Sequence, residues 1–403
     1  MLLNTAIVVA AIVLAGYLAF SKRLAGSATW KATVTPLASI MGSGFLVSAP
    51  LLAGVVGNLA ILCMAGLLAL AYAVGGAIRF NIRNFEPIEN DELGLVQGVA
   101  FLSRLVLSVA YFISVTYYLQ LLAAFLLNGI GVDNDTAAHA ITTALLLVIG
   151  GVGMWRGLSL LEGIEKYAVA FNLGAIGALL VGLIVYNVGL LTGGKWALPD
   201  VSSDINLHDA RVLLGLLIVV QGFETSRYLG EKHPADQRIK TMRYAQLLAS
   251  AIYLVFIGLA TVLFRDDLGA DVTAIIKMTQ PVAAVLPLLL SVAAIGSQFS
   301  AAVADYEGAG GLVEDLSGQK LPAKYAYLLI LVATIALTWE TNVNSIIAYA
   351  SRAFALFYTP QCGVACIVAW QKQDTSHRGL RIAGYAALAL VCLAVFALGL
   401  PAE

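Results

Sequence analysis

Few side chains in this sequence are equipped for chemistry, and most of them stand inside apolar runs. Gly42-Ser43-Gly44 interrupts one run and Gln221-Gly222 interrupts another. A helix broken at such a point bares N–H groups on one half and C=O groups on the other. The N–H end attracts a carboxylate or another anion. The C=O end attracts a cation or an ammonium group. The competing reading is that small residues simply let helices pack closely. Gln221 is a lone amide in an apolar stretch and needs a partner, either a solute or a neighbouring helix. Glu224 follows the second break by two residues, where a carboxylate can cap freed N–H groups or pair with a buried base. Tyr111, Ser114 and Tyr118 recur at spacings of three and four, one face of a helix. Ser297 and Ser300 share a face in the same way. Their hydroxyls either bond back to the preceding turn or offer oxygen to a hard cation.

Arginines within apolar runs are costly, about 2.5–3.5 kcal/mol each near a bilayer centre. Arg104 is close enough to an end to snorkel. Arg352 lies about two turns into its run, where a gate would sit. Asp305 and Glu307 are candidate partners for Arg104 or Lys166. Cys63, Cys362, Cys366 and Cys392 lie in apolar surroundings without metal-site spacing, and read as buried thiols.

The elements that position these residues follow from composition. Hydrophobic residues make up 60% of the chain and charged residues 12%, against roughly 25% charged in soluble domains. Runs of about 20 apolar residues mark membrane spans. Twelve are legible, near 3–20, 34–56, 58–80, 96–127, 137–154, 166–191, 211–228, 243–264, 282–306, 324–339, 344–370 and 381–399. The fold class is therefore all-α and polytopic. The first run is not read as a signal peptide, because Lys22 and Arg23 stand where small cleavage-site residues belong.

Loop charges give the direction. With the loop after the first run in the cytosol, 17 of the 23 Lys and Arg fall on the cytosolic side and only Lys195, Arg211, Arg265 and Lys277 outside. Both termini are then outside, as are the acidic segments 133–135 and 266–271. The longest polar segments, 192–210 and 227–242, are too short for an inserted soluble domain. No GxxxxGK[ST] phosphate loop and no HExxH zinc motif is present. An ATP-driven pump within this chain is excluded, and an enzyme is not expected. A net charge of -1 suggests no nucleic-acid partner.

At its breaks the chain resembles the amino acid–polyamine–organocation (APC) superfamily. Gly42-Ser43-Gly44-Phe45 followed by Pro50 is similar to that family's first core helix. Gly222-Phe223-Glu224, with Gly230-Glu231-Lys232 and Pro234, is similar to its sixth. Gly318-Gln319-Lys320-Leu321-Pro322 resembles the short loop after its eighth. Gly163-Ile164-Glu165-Lys166-Tyr167 resembles the start of the fifth core helix in neurotransmitter–sodium symporters. The extra helix before the first break, and Arg227-Tyr228-Leu229-Gly230-Glu231-Lys232, are similar to sodium–solute symporters.

The resemblance implies a LeuT-type five-plus-five inverted repeat, with blocks 34–191 and 211–370 joined by an outer loop at 192–210. An extra helix and loop (1–33) precede them and a last helix (371–403) follows. It implies substrate contacts from Gly42, Ser43, Gly44, Ile218, Gln221 and Gly222, with Tyr111 and Ser114 facing the breaks. It implies a Na⁺ site formed by Ser297 and Ser300 with carbonyls of the first broken helix, at Leu37 and Ile40, and gating roles for Glu224 and Arg352. Lys166 is too shallow to replace the ion, which favours Na⁺ over a proton. The expected function is cation-coupled uptake of an amino acid or similar small zwitterion across the plasma or inner membrane by alternating access. The alternatives are an uncoupled exchanger or facilitator and a transport-silent sensor. No cofactor is expected beyond a possible coupling Na⁺. The expected partners are a small-molecule substrate and the lipid bilayer.

Overall fold

The computed structural model describes residues 2–89, 94–132, 134–230, 232–268, 271–372 and 377–402, without the side chains of residues 2, 43, 159–165, 267 and 323. Glu231, Asp133 and the side chains of Ile164 and Glu165 lie outside the described set. Every regular element is helical among the described residues. In chain order these are α1 (Leu2–Phe20), α2 (Lys22–Gly26), α3 (Ala28–Ser43), α4 (Phe45–Val56), α5 (Ala60–Asn84), α6 (Leu95–Gly129), α7 (Asp135–Arg156), α8 (Ser159–Thr192), α9 (Leu207–Gly215), α10 (Ala235–Ala260), α11 (Ile275–Thr279), α12 (Leu286–Leu316), α13 (Ala323–Glu340), α14 (Val343–Gln371) and α15 (Arg378–Leu398).

Nine helical runs among the described residues are long and apolar enough to cross a membrane. One of them, 28–84, joins the α3–α4 pair to α5. The pair formed by α9 and the 3₁₀ turns after it, and the helix α13, are the remaining apolar segments of span length. All twelve apolar runs of the sequence are thus helical, wholly or in broken form.

Helix ends follow their capping residues. The Ser27 side chain accepts from Trp30 N, Asn134 from Ala137 N and Asn342 from Ser345 N, and Asn206 with Asp209 forms a capping box on α9. The long α6 packs on α12 and α14, α8 packs on α1 and α12, and α10 packs on α3 and α5. Of these, α10 and α12 pack on α3, α10 and α5 on the 3₁₀ turn Phe223–Leu229, and α14 on the 3₁₀ turn Leu217–Val220.

The ninth span differs from the sequence reading. α12 continues ten residues past 306, to Leu316. Asp305 and Glu307 therefore lie well inside the helix rather than at its end. Arg104 pairs instead with Asp315, the last residue but one of α12, at 2.9 Å. The segment 192–210 is also more ordered than a free loop. Asn58 N donates to Ser203 Oγ and Asn58 Nδ2 to Pro199 O, and Trp196 Nε1 donates to Asn187 Oδ1.

Candidate functional site

The two interruptions meet. Between α3 and α4, Gly44 has an extended backbone (φ −172°) that any residue could adopt, so conformation alone does not require glycine. Space does: a Cβ there would stand 2.9 Å from Val219 Cα, on the 3₁₀ turn before the second break. Gly222 needs glycine on both counts. Its φ is +114°, and a Cβ would stand 2.8 Å from Ile40 N on α3. Each break thus presents backbone directly to the backbone of the other.

Side chains fasten this crossing. Tyr253 of α10 donates a short hydrogen bond to Val219 O and lies 3.2 Å from Ile40 O, touching one carbonyl from each broken segment. Phe45 packs against Tyr253 and Phe256, with ring centroids 5.1 and 4.4 Å away. Gln298 of α12 donates its Nε2 to Gly42 O at 2.9 Å. Ser351 of α14 accepts from Ile218 N at 2.9 Å. The freed groups predicted at the breaks are real, and several already have internal partners.

Glu224 caps its own break. Its Oε2 accepts from Gly222 N at 3.1 Å and from Tyr358 OH at 2.9 Å, and the residue is 1% exposed. Tyr358 OH is also 3.5 Å from Gln221 Oε1, and its ring stacks on Phe223 at 5.3 Å. Gln221 is buried beside this cluster.

Below the crossing lies a cavity of about 80 Å³. Ser39 and Gly42 of α3, Tyr118 of α6, Asn172 of α8, Thr225, and Ser297, Ser300 and Asp305 of α12 all line it. A second cavity of about 480 Å³ shares Thr35, Ala38, Val169 and Leu173 with it and extends to Lys31 and Lys166, at the end of the bundle rich in Lys and Arg. The crossing is therefore approached from that basic end.

The predicted residues distribute as follows. Gly42, Ser297 and Ser300 come together on the small cavity, while Gly44, Ile218, Gln221, Gly222 and Glu224 form the sealed crossing above it. Ser43 ends α3, and its side chain is outside the described set. Ser114 reaches Asp305 of α12, with a short hydrogen bond. Tyr111 does not line the cavity; its ring lies against Gly308 and, at 6.1 Å, Phe354. Leu37 is buried, and the Ile40 carbonyl is within reach of the Tyr253 hydroxyl. Ser297 Oγ donates to Ala294 O at 3.2 Å. Arg352 sits away from both breaks: its Nε donates to Phe396 O of α15 at 2.7 Å, and its guanidinium lies 5.7 Å from the Phe396 ring.

Sequence reasoning passed over Tyr253, Tyr358, Gln298 and Thr225. Gln298 had a visible signal, an amide in an apolar run next to Ser297. The tyrosines had none, because their partners lie far away in the chain. Among the described residues no three His, Cys, Asp or Glu side chains gather as metal ligands.

Comparisons with known proteins agree with this architecture. A family model described as APC superfamily transporter matches residues 22–399. A protein of Aquifex aeolicus (strain VF5), described only as uncharacterized, is 44% identical over 352 residues, covering 86% of this chain and 85% of that one. Among solved structures, the manganese transporter of Eremococcus coleocola in complex with an aromatic bis-isothiourea substituted compound is similar at a TM-score of 0.55 and 12% identity, over 92% of this chain and 88% of that one. A mutant of the same transporter is similar at 0.55 and 12%, over 91% and 87%.

Proposed function

The chain belongs to the APC superfamily of transporters, and we propose that it carries an amino acid or a similar small zwitterion across a cell membrane by alternating access, coupled to a cation, with Na⁺ placed ahead of H⁺. The observation that carries this reading is the crossing itself. Two helices are interrupted, the interruptions touch, and a polar cavity opens beside them. Irregular backbone deep in a membrane protein is tolerated where it lines a cavity or is buried in protein, and paired broken helices are where secondary transporters bind solute.

The two five-helix blocks, 34–191 and 211–370, are read as repeats of opposite orientation, each opening with its broken helix. The segment 227–242 is placed in the cytosol by the Lys/Arg bias. The cavity that reaches Lys31 and Lys166 then opens inward. An organic solute suits the crossing better than a divalent metal, because its carboxylate, Glu224, is already capped by Gly222 N and Tyr358 OH, and what is left is backbone and the Gln221 amide, which hydrogen-bond neutral and zwitterionic groups.

The test is uptake into proteoliposomes of a panel of labelled amino acids, with and without an inward Na⁺ or pH gradient. Concentrative uptake driven by Na⁺ supports the reading. Uptake indifferent to both gradients, with strong counterflow, would make the protein an exchanger. No binding of any solute in the panel would sink the amino acid assignment.

A further inference from the structure

Arg352 is a cation that neither break uses. It stands in the third turn of α14, half-buried. Its Nε donates to Phe396 O in the last turn of α15 at 2.7 Å, and its guanidinium lies 5.7 Å from the Phe396 ring. The helix C-terminus accounts for that bond, since cations suit the last carbonyls of a helix. It uses one of the five N–H donors of the side chain. Among the described residues Arg352 takes part in no ion pair.

The guanidinium stands on a groove of about 460 Å³ between α6, α14 and α15. The walls are apolar, with Leu105, Val109 and Ile113 from α6, Leu356 from α14 and Phe396 from α15, and no acid lines it. Leu105 and Val109 are exposed, so the groove opens outward, on the side that faces lipid. Here α6 and α14 run antiparallel, because Gln361 meets Ser103 and Phe354 meets Tyr111. Leu105 and Leu356 therefore mark the end of the groove toward the basic loops, and Ile113 and Tyr349 the opposite end. Arg352 reaches toward that opposite end. α15 has 21 residues, about 31 Å of helix, which matches the roughly 30 Å hydrocarbon core. Its last turn thus lies at the boundary of that core. Arg211, at the start of α9, donates to Leu398 O at the same level. The groove then has a guanidinium near the boundary and about 12 Å of apolar wall along α6 below it.

A positive head above an apolar channel complements an anionic headgroup above an alkyl chain. Guanidinium groups bind phosphate oxygens in pairs, and cationic pockets between membrane helices take up anionic headgroups. A free anion would leave the apolar wall unused. We propose that this groove binds an anionic phospholipid, with its phosphate on the Nη groups of Arg352 and one acyl chain along Leu105, Val109 and Ile113. The same helix holds the second break from its other side, where Ser351 accepts from Ile218 N and Tyr358 donates to Glu224. The lipid therefore braces the helix behind the crossing. The site goes beyond the transport reading and does not depend on it.

The test is native mass spectrometry with thermal unfolding of the purified protein in a neutral detergent, at constant ionic strength. The probes are dioleoyl phosphatidylglycerol, dioleoyl phosphatidylcholine and sodium phosphate. Phosphatidylglycerol should remain bound and raise the unfolding temperature. Phosphatidylcholine should need a concentration about tenfold higher or more, and phosphate alone should do neither. Arg352→Gln should raise the half-saturating phosphatidylglycerol concentration by about tenfold or more, the usual loss for a charge-assisted bond. Val109→Trp fills the groove from an exposed position without touching the charge, and should weaken the same response. Lys372→Gln, at the basic end where anionic lipid also gathers, should leave it unchanged. An unchanged response in Arg352→Gln or in Val109→Trp overturns the site, and Val109→Trp alone decides if Arg352→Gln does not purify. Equal stabilisation by the two lipids, or by phosphate alone, overturns it as well. So does a response lost as fully in Lys372→Gln.

Discussion

The basic end of the bundle and its middle treat acids in opposite ways. At the basic end, Arg238 meets Glu86 through two bonds of 2.9 and 2.6 Å, and Arg227 meets Glu89 at 3.3 Å. Both arginines are buried. They are bound further: Arg227 donates to Gln361 Oε1, Gln361 donates to Ser103, and Arg238 donates to the Arg227 and His233 carbonyls. In the middle, Glu224 and Asp305 have only hydroxyl and N–H donors. The difference separates two uses of buried charge. Paired charges tie the α5–α6 connection, the turn after the second break and the start of α10 into one unit. The acids of the middle are held by neutral donors alone.

The sharpest way to break this comparison is to remove one acid from each region. Glu86→Leu leaves Arg238 buried without its counter-charge and should cost about 3–5 kcal/mol of stability, as other broken buried pairs do. Asp305→Asn removes a carboxylate with no base beside it and should be neutral or stabilising. Denaturant unfolding of both purified variants reads the contrast. Equal losses in the two would mean that Asp305 is a structural charge and that the regions do not differ.

A second test compares the breaks with glycines that have room. Gly222→Ala forces a Cβ against α3 at a positive φ, a strain of about 1–3 kcal/mol before any clash is counted. Gly44→Leu pushes into the backbone at Val219 and should abolish solute binding while the protein still inserts and purifies as a single species. Gly98 and Gly311 have open space at the Cβ position, so Ala there should leave binding unchanged. Gln221→Leu is nearly isosteric, and should weaken solute binding by about 1–3 kcal/mol through the partner it leaves unpaired. Solute protection against heat measures all of these. Binding as strong as wild type in Gly44→Leu and Gln221→Leu together would make the breaks packing features.

Much of this was legible in the sequence, and what was not has physical causes. The spans were visible because apolar runs of membrane length have few other uses. The breaks were visible because Gly42-Ser43-Gly44 and Gln221-Gly222 interrupt such runs. Asp305 was misplaced because hydropathy falls at Tyr306-Glu307-Gly308, and a hydropathy reading ends the span there. The helix instead runs on to Leu316 and carries the carboxylate inward. Arg227 and Arg238 read as loop charges because the sequence does not show that Glu89 and Glu86, some 140–150 residues earlier, fold against them. Arg352 was read from its depth in the run alone, and its hydrogen-bond partner is likewise distant in sequence, a carbonyl on α15. In each case local pattern gave the element, and a distant partner decided the role.

The smallest expected effect separates the first break from the cavity beside it. Gln298 donates to the Gly42 carbonyl, while its own Oε1 is buried without a hydrogen-bond partner. Gln298→Leu removes a bond worth about 0.5–1.5 kcal/mol, and it also removes that orphaned oxygen. The two changes oppose each other, so net stability should move by about 1 kcal/mol or less. The substitution also bares the Gly42 carbonyl, the oxygen at the break that a cation would seek first. If the coupling cation is held chiefly by Ser297 and Ser300, the Na⁺ dependence of uptake should survive in Gln298→Leu and weaken in Ser297→Ala with Ser300→Ala. If it is held at the broken helix, with the amide as a neighbour fixing that carbonyl, Gln298→Leu should shift that dependence as much as the serine double variant does. Running both variants against one NaCl series decides which side of the cavity holds the cation.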